Sequence, residues 1–398
     1  MKKKILYISG SIGLGHIIKD LAIAQKIREL SPEVEIKWLA AHPATLVLEE
    51  KGEKLHPYAV RFFSYSASAE SLSSGAKLNL AKYVFGSSLG WLRNVKIYKQ
   101  TIAEEEYDLV IGNETYEIII GLIFKLLKVK IPFVMIYDFI GLDSMTGSPF
   151  EKMGNYILNW IWSRDHRVGS QPNREILFIG ETEDIPDKKL GPFLPNRREY
   201  AKKNYNFLGY ITRFDPLKYK DRTNLRAELG YGEEPLIICS IGGTSIGKNV
   251  LELCDQAYPI IREKIPRLRM VLVTGPRLSK DALKIQSEVA VRGFVPELYK
   301  HFAACDMAIV QGGHSSTLEL AALGRPFVYF PIEGHSEQEY VADRLSRYNA
   351  GIRLYYSKTT PQSLAEHVIS NFNKDIDSIP IPVDGARKAA QIVLEMLQ

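Results

Sequence analysis

The sequence has few cysteines, no metal-ligand spacing and no long apolar run, and each absence excludes a class of protein. Its three cysteines in 398 residues show no CxxC spacing, which predicts buried free thiols in a reducing compartment. Its eight histidines form no HExxH cluster, so no metal site is predicted. No stretch reaches the ~18–20 apolar residues of a membrane span. The apolar run near the amino terminus is too short for a signal peptide, so we expect a cytoplasmic protein.

The charge of the chain is close to balance. A net charge of only +5 is too small to indicate nucleic-acid binding. It is compatible with an anionic ligand or with peripheral contact at the inner face of an anionic membrane. With 45% hydrophobic and 24% charged residues, the chain has the composition of a globular protein long enough for two domains.

The two halves of the sequence carry the same pattern. Each opens with an apolar strand that ends in a glycine-rich loop, at residues 5–16 and 236–248. Short, nearly continuous apolar strands then alternate with amphipathic helices, which is typical of parallel sheets covered on both faces. We therefore predict an α/β fold of two Rossmann-like doubly wound domains with ligands at the carboxyl ends of the strands. The predicted bounds are 1–212, 213–380 and a last helix in 381–398.

The most informative segment is QGGHSSTLEL, residues 311–320, which follows a short apolar strand and opens a helix. The free backbone N–H groups of a first helical turn and the helix dipole favour a negatively charged ligand. Gly312 and Gly313 let a phosphate approach the backbone closely. The alternative is an ordinary strand-to-helix turn with a serine cap. The candidate ligands are Gln311, Gly313, His314, Ser315, Ser316, Thr317 and Glu319.

Residues 313–319, GHSSTLE, resemble the nucleotide-sugar motif of GT-B glycosyltransferases. The similar families are the UDP-glycosyltransferases (family 1) and the peptidoglycan N-acetylglucosaminyltransferases (family 28). The resemblance implies that Glu319 holds the ribose hydroxyls and that Gln311 stands where many members have a phosphate-binding histidine. It also implies a central cleft between the domains and a last helix that crosses back to the amino-terminal domain. The other implied donor contacts are Phe294 and Val295 to uracil, and Glu337 and Gln338 to the sugar.

The first glycine-rich loop, GSIGLGH at residues 10–16, lacks the GxGxxG spacing of a dinucleotide site and the Lys-Ser/Thr of a P-loop. It resembles the GT-B acceptor loop, here with Gly13 and Gly15, whose closing histidine is the general base in many inverting members. That histidine is His16. A free imidazole titrates at about pH 6.5 and accepts a proton at neutral pH. A histidine that merely caps the helix is the alternative.

A general-base histidine is usually oriented by a carboxylate. The position that matches the family aspartate is Asn113, with Glu114 next to it. We therefore predict Glu114 as the catalytic partner of His16, with Asp138 as the alternative.

The second glycine-rich loop, GGTSIGKN at residues 242–249, fits the pattern GxxxxGK. Asn249 replaces the Ser or Thr that binds Mg²⁺ in P-loop NTPases, which argues against that class. The loop resembles the GT-B loop that faces the donor pyrophosphate, with Gly243 and Thr244 toward the phosphates. A purely structural turn is the alternative.

These features together predict an inverting, metal-independent glycosyltransferase that needs no cofactor and uses a nucleotide sugar, with UDP as the expected nucleotide. A leaving UDP is neutralised either by a cation or by helix N-termini and backbone N–H groups, and the sequence offers the second solution. The acceptor is a hydroxyl compound, either lipid-linked or a soluble metabolite or glycan. Residues 61–101 are the least regular stretch, and their aromatic and basic side chains suit an apolar acceptor or a membrane interface. The alternatives are a UDP-sugar 2-epimerase and a non-catalytic nucleotide-sugar-binding protein.

Overall fold

The computed structural model divides the chain into two compact units. The first unit contains Met1–Arg213 and Val383–Gln398, and the second contains Phe214–Pro382. The residues described are 2–9, 14–42, 44–63, 73–74, 77–78, 80–127, 131–144, 148–169, 173–242, 247–333, 336–372, 374 and 377–398. For 14–15, 73–74, 77–78, 80–89 and 336–337 only the backbone is described.

The first unit is built on a six-stranded parallel sheet with the order β2-β1-β5-β6-β7-β8. Its strands are β1 Lys4–Ser9, β2 Glu35–Ala40, β5 Leu109–Asn113, β6 Phe133–Tyr137, β7 Arg174–Phe178 and β8 Asn206–Phe207; β3 Ser73–Ser74 and β4 Lys77–Leu78 form a separate antiparallel pair. Its helices are α1 Leu14–Leu30, α2 Ala44–Glu50, α3 Leu80–Glu104, α4 Tyr116–Ile123, α5 Pro149–Trp162, α6 His166–Gly169, α7 Arg197–Asn204 and α14 Gly385–Met396.

The strands of the first sheet are apolar on both faces because helices cover both. In β1, Leu6 and Ile8 pack into one hydrophobic core, and Ile5 and Tyr7 pack into the other. Successive side chains of a strand point to opposite faces, so a continuous apolar run serves two cores at once.

The carboxyl-terminal helix α14 packs against α1 in the first unit. Ala389, Ala390 and Val393 are fully buried there. Gly385 begins the helix, and its N–H donates to the carbonyl of Tyr210 at 3.0 Å. A Cβ on Gly385 would lie 2.7 Å from that oxygen, so only glycine fits at this crossing.

The second unit repeats the design with a six-stranded parallel sheet of order β11-β10-β9-β12-β13-β14. Its strands are β9 Leu236–Ser240, β10 Arg269–Val273, β11 Ala290–Arg292, β12 Met307–Gln311, β13 Phe327–Phe330 and β14 Ile352–Arg353. Its helices are α8 Arg222–Glu228, α9 Lys248–Lys264, α10 Leu298–Ala304, α11 His314–Ala322, α12 Ser336–Arg347 and α13 Pro361–Asn371.

Two doubly wound α/β units confirm the predicted fold class. The three cysteines are free and buried, as their spacing predicted. Part of residues 61–101, the stretch predicted to be the least regular, is helical, because α3 runs for 25 residues through Leu80–Glu104. In the described part of the chain, no helix is long and apolar enough to cross a membrane.

Candidate active site

Each sheet has one place where the strand order changes direction, and doubly wound sheets bind ligands there. In the first unit this switch point lies between β1 and β5, because β2 lies on one side of β1 and β5 to β8 follow on the other. In the second unit it lies between β9 and β12. The four segments predicted to carry function follow β1, β5, β9 and β12, so the topology brings them to the two switch points.

His16 lies in the first turn of α1, at the switch point of the first unit. Its Nδ1 is 3.3 Å from Oδ2 of Asp138 and 3.8 Å from Oε2 of Glu114. Nδ1 is buried and has no hydrogen-bond partner among the residues that the structure describes. Catalytic hydrogen bonds are often long in a free enzyme and shorten when substrate binds. Two carboxylates therefore flank one ring nitrogen, and either is able to orient it.

Glu114 is held in a strained position directly after β5. Its φ is 51°, a left-handed conformation that is uncommon for a residue other than glycine. Its N–H donates to the carbonyl of Ile136 at 3.1 Å, which ties it to β6. Burial raises the pKa of its carboxyl, and the charge of Asp138 acts in the same direction. Strained residues of this kind cluster at functional sites.

Asp138 directly follows β6 and is contacted by two side chains of α1. Besides the approach of His16, Nζ of Lys19 donates a hydrogen bond to Oδ2 of Asp138. Both side chains of this ion pair are only 14% exposed, so water screens it weakly. Sequence reasoning missed Lys19, although it stands three residues after His16 and a helix brings such residues to one face.

Asp20 is fully buried beneath the same site and accepts three hydrogen bonds. The donors are the hydroxyl of Tyr7 at 2.9 Å, Oγ of Ser9 at 2.7 Å and Nδ2 of Asn113 at 2.7 Å. Burial raises the pKa of Asp20 to about 6, against the lowering effect of these hydrogen bonds. Asp20 therefore ties the ends of β1 and β5 to α1.

The described residues predicted in the first unit lie close together, but the carboxylate nearer to the His16 ring is not the one that we predicted. Glu114 lies beside His16 as predicted, but Asp138, the alternative, is nearer to Nδ1. Asn113 donates to Asp20. Of the two acceptor-loop glycines, Gly15 lies in the first turn of α1, and Gly13 lies outside the described residues.

At the switch point of the second unit, the two glycines after β12 differ in what they require. A Cβ on Gly312 would lie 2.7 Å from Cα of Pro331, so packing alone demands glycine there. Gly313 is the N-cap of α11 with an ordinary φ of −73°. No described atom lies within 4 Å of the position that its Cβ would take. Among the described residues, therefore, packing does not explain why residue 313 is a glycine.

Two side chains at the start of α11 have their hydrogen bonds set by neighbours. Nη1 of Arg344 lies 2.9 Å from Nδ1 of His314. Arginine only donates, so Nδ1 accepts, and in the neutral ring the hydrogen is on Nε2. The hydroxyl of Thr317 donates to the carbonyl of Gly313 at 2.8 Å, which removes Thr317 from the candidate hydroxyl donors to a phosphate. Ser315 is exposed and Ser316 is half-buried.

The remaining donor candidates lie around the same edge of the second sheet. Glu319 is buried in α11 at 7% exposure. Phe294 is 66% exposed directly beyond β11, which is unusual for a large aromatic side chain, and Val295 is half-buried. Oε1 of Gln338 accepts from the N–H of Ile332 at 2.7 Å and so holds the loop after β13.

The loop after β9 approaches these residues through its glycines. Gly242 has a φ of +74°, and its carbonyl would lie 2.2 Å from a Cβ on Gly275, so the loops after β9 and β10 touch here. A Cβ on Gly247, the N-cap of α9, would lie 3.4 Å from Cδ of Gln311. Gln311 thus lies beside the start of α9. Gly243 and Thr244 fall outside the described residues, and the side chain of Glu337 is not described.

Over the residues that the structure describes, no three His, Cys, Asp or Glu side chains are grouped so that they could hold a metal ion. The candidate groups at the second switch point are backbone N–H groups, hydroxyls and one buried carboxylate. The candidate groups at the first are one imidazole, two carboxylates and one ammonium group.

Two doubly wound units of this strand order form the architecture of the GT-B fold. Comparison with known proteins agrees. Residues 237–380 match the model of the glycosyltransferase family 28 C-terminal domain. A solved structure, the glycotransferase of kitacinnamycin, superposes with a TM-score of 0.65 at 16% identity over 100% of both chains.

Two curated relatives illustrate the range of the similarity. An uncharacterized glycosyltransferase of Methanosarcina acetivorans is 30% identical over 203 residues, which are 48% of this chain and 49% of that relative. The match therefore spans about half the length of that relative. The UDP-N-acetylglucosamine–N-acetylmuramyl-(pentapeptide) pyrophosphoryl-undecaprenol N-acetylglucosamine transferase of Clostridioides difficile is 22% identical over 373 residues, 91% of this chain and 79% of the relative. These matches confirm the predicted resemblance to the GT-B families 1 and 28.

Proposed function

We propose that the protein is an inverting glycosyltransferase that moves a sugar from a nucleotide sugar, a UDP-sugar in our proposal, to a hydroxyl acceptor without a bound metal. The observation that carries the proposal is Gly313, the N-cap of the nine-residue helix α11, which has an ordinary φ and no described atom within 4 Å of the position that a Cβ would take. A glycine without strain and without a packing neighbour is explained by a ligand that needs to approach the backbone.

The donor would bind at the second switch point. The N–H groups at the start of α11 and the helix dipole would stabilise the diphosphate, most strongly as negative charge develops on the leaving group. Ser315 and Ser316 would add hydroxyl donors, and Glu319 would accept hydrogen bonds from the ribose. Phe294 would cover the base with its exposed ring. Gln338 would offer its amide N–H₂ to a sugar hydroxyl, because its oxygen already accepts from Ile332.

His16 would act as the general base. Its Nδ1 faces two carboxylates, so Nε2 would take the proton from the acceptor hydroxyl. The acceptor oxygen would then form a bond to the anomeric carbon, and the bond from that carbon to the diphosphate oxygen would break on the opposite face. One displacement inverts the configuration and releases UDP.

We further propose that the acceptor is lipid-linked and that the first unit touches the membrane. Helix α5 exposes Phe150 at 75%, Met153 at 58% and Ile157 at 50%, and the neighbouring Phe193 is 100% exposed. The spacing of three and four residues puts the α5 side chains on one face. Exposed apolar stripes of this kind insert into the membrane interface. The name of the Clostridioides difficile relative describes an acceptor attached to undecaprenol.

The activity is tested by incubating the protein with UDP- and dTDP-sugars and measuring nucleotide release, new glycosides and epimers. Transfer or slow donor hydrolysis supports the proposal, whereas a C2 epimer formed without acceptor favours the epimerase. His16→Ala should abolish transfer and leave UDP affinity nearly unchanged. His367→Ala, at an exposed site in α13, is the matched control. Unchanged turnover of His16→Ala would exclude His16 as the base.

The membrane contact is tested by sedimentation with vesicles that contain anionic lipid. Phe150→Ser and Ile157→Ser together should release the protein from vesicles. Leu217→Ser, which changes a 68% exposed leucine of the second unit, should not. Equal binding of the α5 variant and the wild-type protein would exclude α5 as the contact.

A further inference from the structure

We propose that Lys19 is a positioning residue for His16: it fixes Asp138 as the anionic carboxylate that orients the ring, and it offsets the charge of that carboxylate. The inference rests on the proposed function in one respect, the role of His16 as base. The predicted partner, Glu114, then has a different role from the one that the sequence suggested.

The geometry joins three side chains in a row. His16 and Lys19 stand one turn apart on α1, and both reach Asp138 at the end of β6: Nδ1 of His16 lies 3.3 Å from Oδ2, and Nζ of Lys19 donates to the same oxygen. The Lys19 and Asp138 side chains are each 14% exposed. An ion pair in such a sheltered place is held more strongly than one on the surface.

Two carboxylates beside one imidazole compete for ionisation. Glu114 is 3.8 Å from Nδ1, and two buried carboxylates this close to one ring are not both ionised without cost. Burial raises the pKa of Glu114 against the lowering effect of the His16 and Lys19 charges, and the charge of Asp138 adds to the rise. The ammonium group of Lys19 contacts Asp138. Asp138 is therefore the anion, and Glu114 is the carboxyl that keeps its proton longer.

Other titratable groups near the ring lie on α1 itself and on two further elements, β1 and α4. Asp20 lies one turn beyond His16 on α1 and is held by the donors on β1 and β5 described above. The charge of His16 acts on it as well. Tyr7 on β1 and Tyr116 on α4 have pKa values well above the ordinary value because they are buried, so both stay neutral in the working range. Among the described residues around the ring, Asp20 is the further carboxylate to be controlled for.

The chemical consequence concerns how easily His16 is protonated. An anionic carboxylate on Nδ1 orients the ring and leaves Nε2 as the base, but alone it also stabilises the imidazolium. Lys19 cancels most of that charge while it keeps the carboxylate in place. His16 therefore remains unprotonated, and thus able to act as a base, down to a lower pH than Asp138 alone would allow.

The test is a pH titration of the His16 ring by NMR in the ligand-free full-length protein, with the signal assigned through His16→Gln. In Lys19→Met, which keeps the apolar stem, the titration midpoint should move upward by about one pH unit, tenfold in the protonation equilibrium. Lys19→Arg should restore it, and Asp138→Asn should lower it. In Asp138→Asn, Lys19 loses the carboxylate that holds its ammonium group beside the ring. Adding Lys19→Met there should therefore have less than half of its effect. Asp20→Asn should leave the response to Lys19→Met intact.

Three results would overturn the proposal. The first is a titration midpoint that does not respond to Lys19→Met. The second is an equal response to Lys19→Met with and without Asp138. The third is a midpoint that Glu114→Gln lowers more than Asp138→Asn does. Because the titration uses no substrate, its failure is distinct from failure of the proposed function, which would show as absent sugar transfer. Where transfer is measured, Lys19→Met should move the acidic limb of kcat/KM upward by the same about one pH unit and leave UDP affinity within about twofold.

Discussion

Replacing Asp20 by asparagine should remove one identifiable part of the pH dependence of stability. Asp20 is fully buried and accepts hydrogen bonds from Tyr7, Ser9 and Asn113. Asparagine has nearly the same shape. Its oxygen is able to accept from Tyr7 and Asn113, and its N–H₂ is able to donate to the Ser9 hydroxyl, which both donates and accepts. The network survives, and the titrating group is lost.

The magnitude follows from the pKa of Asp20. Burial raises it from 3.8 to about 6, which corresponds to about 3 kcal/mol at about 1.4 kcal/mol per pH unit. A carboxyl whose pKa is raised by folding binds more protons in the folded state between these two values. Its stabilising effect is complete below the lower value and is lost as the pH rises through the higher one. Relative to wild type, Asp20→Asn should gain about 2.5 kcal/mol in free energy of unfolding between pH 4 and pH 8.

Tryptophan fluorescence is the suitable probe, because all four tryptophans, Trp38, Trp91, Trp160 and Trp162, lie in the first unit. Urea unfolding of both proteins at a series of pH values gives the difference directly, free of contributions from other groups. Asp20→Ala is the control: it leaves three donors without an acceptor and should cost roughly 3 kcal/mol or more at every pH. A difference between wild type and Asp20→Asn that does not change with pH would refute the reasoning.

Three further predictions concern single contacts. Burial raises the pKa of Asp165 to about 7 despite hydrogen bonds from tyrosines. The free energy of unfolding of wild type, measured in urea, should therefore fall by up to about 4 kcal/mol relative to that of Asp165→Asn between pH 4 and pH 8. Gly313→Ala makes a poorer N-cap and should cost at most about 1 kcal/mol of stability, but it should weaken UDP binding, measured by calorimetry, at least about tenfold. Gly312→Ala should instead destabilise the fold by roughly 1–3 kcal/mol, because the added methyl group overpacks its site. Arg344→Met should release the His314 ring from its hydrogen bond and weaken UDP binding about tenfold, which is the loss expected for one charged hydrogen bond.

The fold could be read from the sequence because its signals are local and repeated. A fully apolar strand such as residues 236–240 indicates a sheet covered on both faces, and the glycine-rich loops mark the ends of β1 and β9. The helix Leu80–Glu104 was missed. Its sequence mixes serine, glycine and aromatic residues that have low helix propensity, and tertiary context decides such a segment.

The structure places His16 and Glu114 near each other, but Asp138 lies nearer to Nδ1 than the predicted partner does. His16 and Glu114 were recognised by a motif and by their position after a strand. Whether Asp138 or Glu114 lies nearer to Nδ1 depends on the backbone of the residue after each strand, including the left-handed φ of Glu114, which no motif specifies. Lys19 and Asp20 were visible at helical spacing from His16, but their partners lie on other strands.

The central claim is that the N-terminus of α11 holds a diphosphate without a cation, and calorimetry tests it most directly. UDP and uridine should be titrated into wild type, Gly313→Ala and Glu319→Ala in the presence of EDTA. The account predicts that UDP binds in EDTA far more tightly than uridine, that Gly313→Ala removes most of this difference, and that Glu319→Ala weakens both ligands. Binding of UDP only after a divalent cation is added, with no response to Gly313→Ala, would contradict it.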